Sequence, residues 1–433
     1  MKKILIGLAA VIIVAAAGFF GFQFYTQQRI AAQLDASFEQ LRGKGGKASY
    51  GKVAFDLLSR TVTIADLESE SATQPPVRVK LANVTASGVG EPDATHFSAD
   101  RIEAAGLELD VQLAAPANGH ISYKAPKITV NAYSGPSSPR QQTSSSLIDV
   151  YRSLLEQFAE VNASQVSIPN LTGSLDFNGA AGAAGDFTYS DFAMENIKDG
   201  KIAAMKLADM TFNLTMQQAG KTEKLTGHVA NIESHDVDST ALAAVLDPQK
   251  AGDDQYHRAY RQVSTGPYEF SAVAGPHMRI EGMSIEDVGL RPSRLQIPAI
   301  LAVMPQPGTT PTPEQARELI DKVAAIYEGL RIGNAEMRGM SVDTPEGPFK
   351  LAAIRYSLDG GKGDFAIDGL QATTSKEPFQ VGHFALKSLD IANLLRVSSQ
   401  FTNPAQRPGP EQALQLLTAL GGAEVKGVTA PFK

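Results

Sequence analysis

The chain of 433 residues contains no cysteine and no tryptophan. Without cysteine there are no disulfides and no thiolate metal sites, but the compartment stays open, because such a chain suits either redox environment. Without tryptophan, the side chain that most often anchors protein hot spots is missing. Basic charge is also short: 39 Lys and Arg stand against 46 Asp and Glu, a formal net charge of −7. Nucleic acid is therefore not an expected partner. Catalytic signatures are absent too. No G-x-S-x-G, H-E-x-x-H, Walker A or dinucleotide fingerprint occurs, so no catalytic, cofactor-binding or metal-ligating residue is assigned and no cofactor is expected.

Four stretches imitate sites, and each has a plainer reading. "SYGK" (Ser49 to Lys52) matches S-x-x-K of penicillin-interacting enzymes, but the S-D-N and K-T-G partners are missing and the stretch opens a strand. "DDQYH" spaces Asp253 and His257 as a helical metal pair, without a third ligand nearby; the acids suit a helix start. "HVANIESHDVD" gathers His228, His235, Asp236 and Asp238 in what reads as a strand and turn. "DGGKGD" (Asp359 to Asp364) lacks the alternating oxygen ligands of a calcium loop and reads as a hairpin turn.

What the chain does have is an apolar start. Lys2 and Lys3 precede "ILIGLAAVIIVAAAGFFGFQFY", Ile4 to Tyr25, which carries no charge. As a helix this run is roughly 33 Å long, enough for a ~30 Å hydrocarbon core. Ile4, Leu5, Leu8, Val11, Ile12 and Val14 supply its apolar membrane-anchor side chains. Phe19, Phe20, Phe22 and Tyr25 gather at the far end, where aromatics suit the headgroup boundary. A cleaved signal peptide is the rival, with Ala15 to Ala17 as the cut, but the apolar run continues well past it. The two lysines favour an N-in orientation: a single pass through a bacterial inner membrane, with the bulk of the chain in the periplasm. Ile30, Leu34, Phe38 and Leu41 then mark an amphipathic helix, ended by the glycines of "RGKGGK".

Beyond those glycines the apolar period changes from 3.6 to 2. "KVAFDLLSRTVTIADL" reads as a hairpin turning near Ser59 and Arg60. "GLELDVQL" and "MTFNLTMQ" alternate cleanly, as antiparallel strands with one wet and one covered face do. Amphipathic helices are expected from Ser145 to Val161, around "DDQYHRAYRQV", and from Pro313 to Gly329, the last opened by a capping box on Thr312 and Gln315. "PTPEQA" followed by "NAEMRGMSVD" returns near the end as "PGPEQA" followed by "GAEVKGVTA", with Gly339 and Gly427 in equivalent places. A repeated structural unit would place both glycines at a matching bend, with Val425 as covered as Met337.

The expected fold class is α+β: an N-terminal transmembrane helix, then repeated units of antiparallel β-meander with interspersed amphipathic helices. The divisions fall at 1–25 (anchor), 26–47 (helix and glycine break), 48–133 (first β-rich region), 134–146 (linker), 147–303 and 304–402 (helix-plus-meander units) and 403–433 (a partial third unit).

From Ile4 to about Leu67 this layout resembles the AsmA-like envelope proteins, and the helix-bearing body is similar to YdgA-type periplasmic proteins. The resemblance implies a long β-groove concerned with lipid movement or outer-membrane homeostasis, and no functional residue is carried over from it. The apolar strand faces are either plain core or a groove for acyl chains. Three functions stay open: a non-enzymatic protein handling lipid or supporting envelope assembly, an anchored scaffold for envelope proteins, and a hydrolase without a recognisable motif. The anchor is directly testable. A reporter fused after Lys433 is expected to be active outside the cytoplasm, on a mature chain that still begins at Met1; a soluble form starting near Gly18 would contradict the uncut anchor.

Overall fold

The computed structural model describes residues 35, 38, 39, 41–43, 45–72, 75–93, 96–113, 118–136, 147–177, 182–218, 221–272, 275–304, 312–344, 347–373, 378–399, 414 and 417–429. The span Ile4 to Tyr25, with all its anchor side chains, lies outside these residues. No helix among the described residues is long and apolar enough to cross a membrane.

The chain divides into two compact units, residues 1–233 with 270–274, and residues 234–269 with 275–433. The first is an antiparallel meander of β1 (Lys47–Ser49), β2 (Lys52–Asp56), β3 (Thr61–Glu70), β4 (Val77–Ser87), β5 (Gly90–Asp93), β6 (His96–Leu113), β7 (Gly119–Pro136), β8 (Ala163–Phe177), β9 (Ala183–Lys198) and β10 (Lys201–Gln218). β1 and β2 both lie along β3, β4 and β5 both lie along β6, and the later strands pair in chain order. The longest strands, at 18 residues, span about 60 Å. The helix Leu147–Phe158 stands between β7 and β8 and buries Leu155 and Phe158.

β11 (Lys221–Asp238) and β13 (Tyr268–Ala272) have residues in both units. The second unit continues with β12 (His257–Thr265), β14 (His277–Leu290), β15 (Leu330–Thr344), β16 (Gly347–Asp359), β17 (Lys362–Thr373), β18 (Pro378–Asp390) and β19 (Gly422–Thr429). From β14 onward each strand pairs antiparallel with the next. Helices Ser239–Ala244, Ile297–Ala302, Pro313–Gly329 and Ile391–Ser399 accompany them. The Thr312 hydroxyl accepts from the Gln315 amide, and the Gln315 side chain accepts from the Thr312 amide at 2.9 Å, so the expected capping box is present. Arg396 joins two of the helices, donating to Glu328 and, at 2.9 Å, to Asp321. The hydrogen bond from Arg396 holds the Glu328 carboxyl below its usual range.

One backbone device organises the strands of both units. Buried apolar residues recur along β6 at Phe97, Ala99, Ile102, Ala104, Leu107 and Leu109, in alternating steps of two and three. β7 does the same through Tyr123, Ala125, Ile128, Val130 and Tyr133. An ordinary strand would turn its apolar residues outward at each three-residue step. Here each such step holds a residue in the left-handed region, or faces one across the ladder: Asp66, Gly106, Ala132, Asp191 and Asn196 all have φ near +50° to +64°. Pairing keeps its register through the kink, with Lys80↔Glu108 on one side and Asn83↔Ala105 on the other. The kinks therefore line up in transverse rows. In the second unit Gly339, Gly369 and Gly427, with φ of 61°, 62° and 63°, occupy one row on alternate strands. Asn and Asp tolerate this conformation better than other side-chain-bearing residues, which accounts for their share of the rows.

The expectation of an α+β fold is corrected. Strands take up 67% of the described residues and helices 18%, and the helices sit at strand ends rather than alternating with each meander. The expected helix at "DDQYHRAYRQV" is strand β12. Its Ala259, Tyr260 and Val263 imitate helical spacing because the strand is irregular between Arg258 and Tyr260. Other expectations hold: the hairpin at 52–70 turns at 57–60, and the helix expected from Ser145 to Val161 runs from Leu147 to Phe158.

A Cβ on Gly106 would lie 2.8 Å from the Ala82 Cβ, and one on Gly369 would lie 2.8 Å from the Ala352 Cβ. Gly106→Ala and Gly369→Ala are each expected to lose about 1–3 kcal/mol in urea unfolding, through strain at positive φ and through the close contact. Gly252→Ala, at an ordinary φ with open space around it, should stay within about 0.5 kcal/mol of the parent. Equal losses at all three positions would contradict the kink rows.

Candidate functional site

The four imitated sites resolve into structural contacts. Ser49 ends β1 and Lys52 opens β2, so no helix presents this pair. His257 lies 2.8 Å from Asp253, whose carboxylate also accepts from the Gln255 amide; that amide first, and then His257, holds the Asp253 carboxyl below its usual range. His228 pairs with Asp209, Arg261 donates to Asp236 at 2.6 Å, and Asp238 caps the helix Ser239–Ala244. Gly360 and Gly361, both at positive φ, form the two-residue turn between Asp359 and Lys362. No group of three potential metal ligands occurs among the described residues. A depression of about 250 Å³ is bordered by Lys47, Glu68, Glu70, Arg78 and Lys80, whose charges are paired across the strands. Another, of about 310 Å³, lies beside the Gly360 turn and is bordered by Arg331, Asp359, Lys362 and Asp364. Both are polar.

The apolar face of each sheet is different. In the first unit it is closed at the end where the helix Leu147–Phe158 enters, with Phe97, Tyr133, Leu155 and Phe158 each at most 2% exposed. The Phe97 and Tyr133 rings lie 4.9 Å apart there. Toward the opposite end the cover thins in successive rows. The row Leu109–Tyr123–Gly173–Phe187–Phe212 is still mostly buried. Phe187 lies over Gly173, where a Cβ would come within 2.1 Å of the ring, and its ring centroid is 5.3 Å from Tyr123 and 5.4 Å from Tyr189. Burial raises the pKa of both tyrosines. The next row, Val111–Ile121–Leu175–Gly185–Leu214, is only half-buried in its large side chains, as are Leu113, Phe177 and Met216 in the row beyond.

The second unit repeats the arrangement. Ala241, Val245, Val288, Leu290 and Leu295 form a core beneath its helices, with Ile326 and Leu330 packed against it. Away from that core a row of six apolar residues crosses six strands in register: Met283–Met337–Ile354–Ile367–Phe384–Val425. The first five are half-buried, and Val425 on β19 is 55% exposed. Gly339 and Gly427 share a conformation and a row, and Met337 and Val425 share one row, but the repeated unit fails the expected test of equal cover. Of the helix expected over "GPEQALQLLTAL", Leu414 and Leu417–Ala419 are described and helical, and its start at Pro410 lies outside the described residues.

In the first unit the apolar face is therefore closed at the helix end and half-open at the other; in the second, the large side chains away from the core are mostly half-buried, with Ile280 and Leu351 buried among them. Sequence reading identified the faces but not their open ends. The available signal was the pairing of large apolar residues with Gly119, Gly173 and Gly185 at the strand ends far from the helix. No protein-family model matches this chain, and no curated protein or solved structure matches it.

The burial gradient predicts unequal costs. Phe187→Ala is expected to lose about 3–5 kcal/mol on unfolding, as a buried ring does. Leu214→Asn, one row outward, should lose about 1 kcal/mol. Equal losses would mean that the outer row is as covered as the inner one.

Proposed function

We propose that this chain is a non-enzymatic envelope protein that handles lipid, seating acyl chains on the half-buried apolar stripes of its two units. The observation that supports this reading is the in-register apolar stripe of half-buried side chains in each unit. Contiguous apolar surface of this kind is rarely left to water in a monomer. Each CH2 group removed from water contributes roughly 0.8 kcal/mol, so ten of them would contribute about 8 kcal/mol before ordering costs. The stripe carries no charged side chain, which suits a hydrocarbon tail and leaves the headgroup outside.

The proposal keeps the address read from the sequence: an inner-membrane anchor at Ile4 to Tyr25, the body in the periplasm, and kinship with the AsmA-like or YdgA-type proteins. A scaffold for envelope proteins is the second reading. It is favoured by β19, where Val425 and Val428 stand 55% and 54% exposed on a strand paired along β18, a surface that another strand could extend.

Mass spectrometry of lipids retained by the detergent-extracted chain separates the two. Phospholipid is expected to co-purify with the native chain, and Leu175→Asp is expected to lower the retained amount about tenfold, a change of about 1.4 kcal/mol. Unchanged lipid content in a folded Leu175→Asp variant would contradict the acyl-chain seat and leave the scaffold reading.

A further inference from the structure

Leu57 and Leu58 are the most exposed large apolar residues described, at 77% and 99%. They occupy the tip between β2 and β3, and the tip is not a loose loop. The Asp56 carboxylate accepts from the Leu58 amide at 2.9 Å and from the Ser59 amide, and the Ser59 hydroxyl donates to Thr61 at 2.9 Å. The Arg60 carbonyl accepts from the Val89 amide at 3.0 Å, tying the tip to the connection between β4 and β5. Those amide hydrogen bonds hold the Asp56 carboxyl below its usual range. Two leucines are thus presented outward on a fixed support. Lys52 and Arg60 are exposed on the same hairpin.

The direction of the incoming chain says what lies in front of the tip. Asp35, Phe38, Glu39 and Leu41–Gly43 are helical, and they run back along β1 and β2. Arg42 donates to the Ala48 carbonyl at 2.6 Å, whereas Asp35 accepts from the Tyr50 hydroxyl at 2.9 Å. The Phe38 ring packs 5.7 Å from Tyr50. Residue numbers therefore fall toward the tip. Tyr25, the last residue of the apolar run, is joined to Asp35 by ten residues of chain, which reach at most about 35 Å. Tyr50 and Asp56 are about 20 Å apart along the strand. A bilayer holding Ile4 to Tyr25 lies within reach of the hairpin tip.

We infer that the Leu57–Leu58 turn inserts into the surface of the bilayer that holds the Ile4–Tyr25 anchor, with Lys52 and Arg60 at the level of its anionic headgroups. The inference rests on the anchor reading. It fixes the first unit at two points, and it turns the half-open apolar end at Leu113, Phe177 and Met216 away from that bilayer. Apolar side chains flanked by basic ones partition to such interfaces, where the cations meet anionic lipid and the leucines meet the acyl boundary.

The absence of tryptophan makes the test clean. The full chain carrying Leu58→Trp is reconstituted into vesicles of zwitterionic and anionic phospholipid, with and without acyl chains brominated near the headgroup. Lys47→Trp, at the far end of β3 from the tip, is the companion variant; its position opposite Glu70 is about 30 Å from the turn. The expected result is co-flotation of both variants, with blue-shifted emission quenched by brominated lipid for Leu58→Trp and unquenched emission for Lys47→Trp. Co-flotation with water-like emission from the Leu58→Trp variant overturns the inference and leaves the anchor standing. Blue-shifted emission from that variant without lipid quenching also overturns it, in favour of a protein contact at the tip. Failure of either variant to float removes the anchor itself, and the inference with it. Because Leu58 is almost wholly exposed, loss of folding is not expected; a nitroxide on Leu57→Cys in the otherwise cysteine-free chain provides an independent depth reading.

Discussion

A sheet with one apolar face must have that face covered, and in each unit of this protein the helices reach only one end of it. The rest of the structure follows from that mismatch. Strands of up to 18 residues extend far beyond what a helix of 12 residues, about 18 Å long, can shield. Near the helix Leu147–Phe158 the face is a conventional core of rings and branched side chains. Farther out, cover comes from rings laid over glycines of the neighbouring strand, as Phe187 lies over Gly173. Beyond those rings the cover thins.

Keeping one face apolar over such a length requires the kinks. Long strands twist, and strict alternation would have to be broken wherever the sheet coils. The left-handed residues at Asp66, Gly106 and Asn196, and at Gly339, Gly369 and Gly427, let two consecutive residues point outward without shifting the register. The outer face then carries cross-strand charge pairs, such as Glu70 with Lys47 and Arg78, and Glu195 with Lys206. Each is weak in water; together they disfavour slipped registers, which would set like charges opposite one another.

Much of this was legible in the residues, and the failures have a common cause. "GLELDVQL" shows clean alternation because it lies beyond Gly106, past the last kink of its strand. "FSADRIEAAG", on the same strand, steps by two and three and shows no simple period. "DDQYHRAYRQV" passes for a helix because strand irregularity brings its apolar residues to helical spacing. The repeated glycines were readable as bends, and Gly339 and Gly427 do share a conformation and a row. Their neighbours' burial was not readable, because β19 lies against β18 while β15 lies between β14 and β16. The apolar faces could be read from composition and alternation. Which end the helices close is a tertiary fact that no local pattern encodes.

Two units with half-buried apolar stripes, and no charge in the stripes, favour a ligand that is mostly hydrocarbon. The most direct measurement is photocrosslinking in intact cells with a benzophenone side chain placed at Leu175, on the apolar face of β8, or at Ser174, on its polar face beside Ser122. The account predicts phospholipid adducts at position 175 and none at position 174. Equal lipid labelling at both positions, or adducts at 175 formed only with protein, would contradict it.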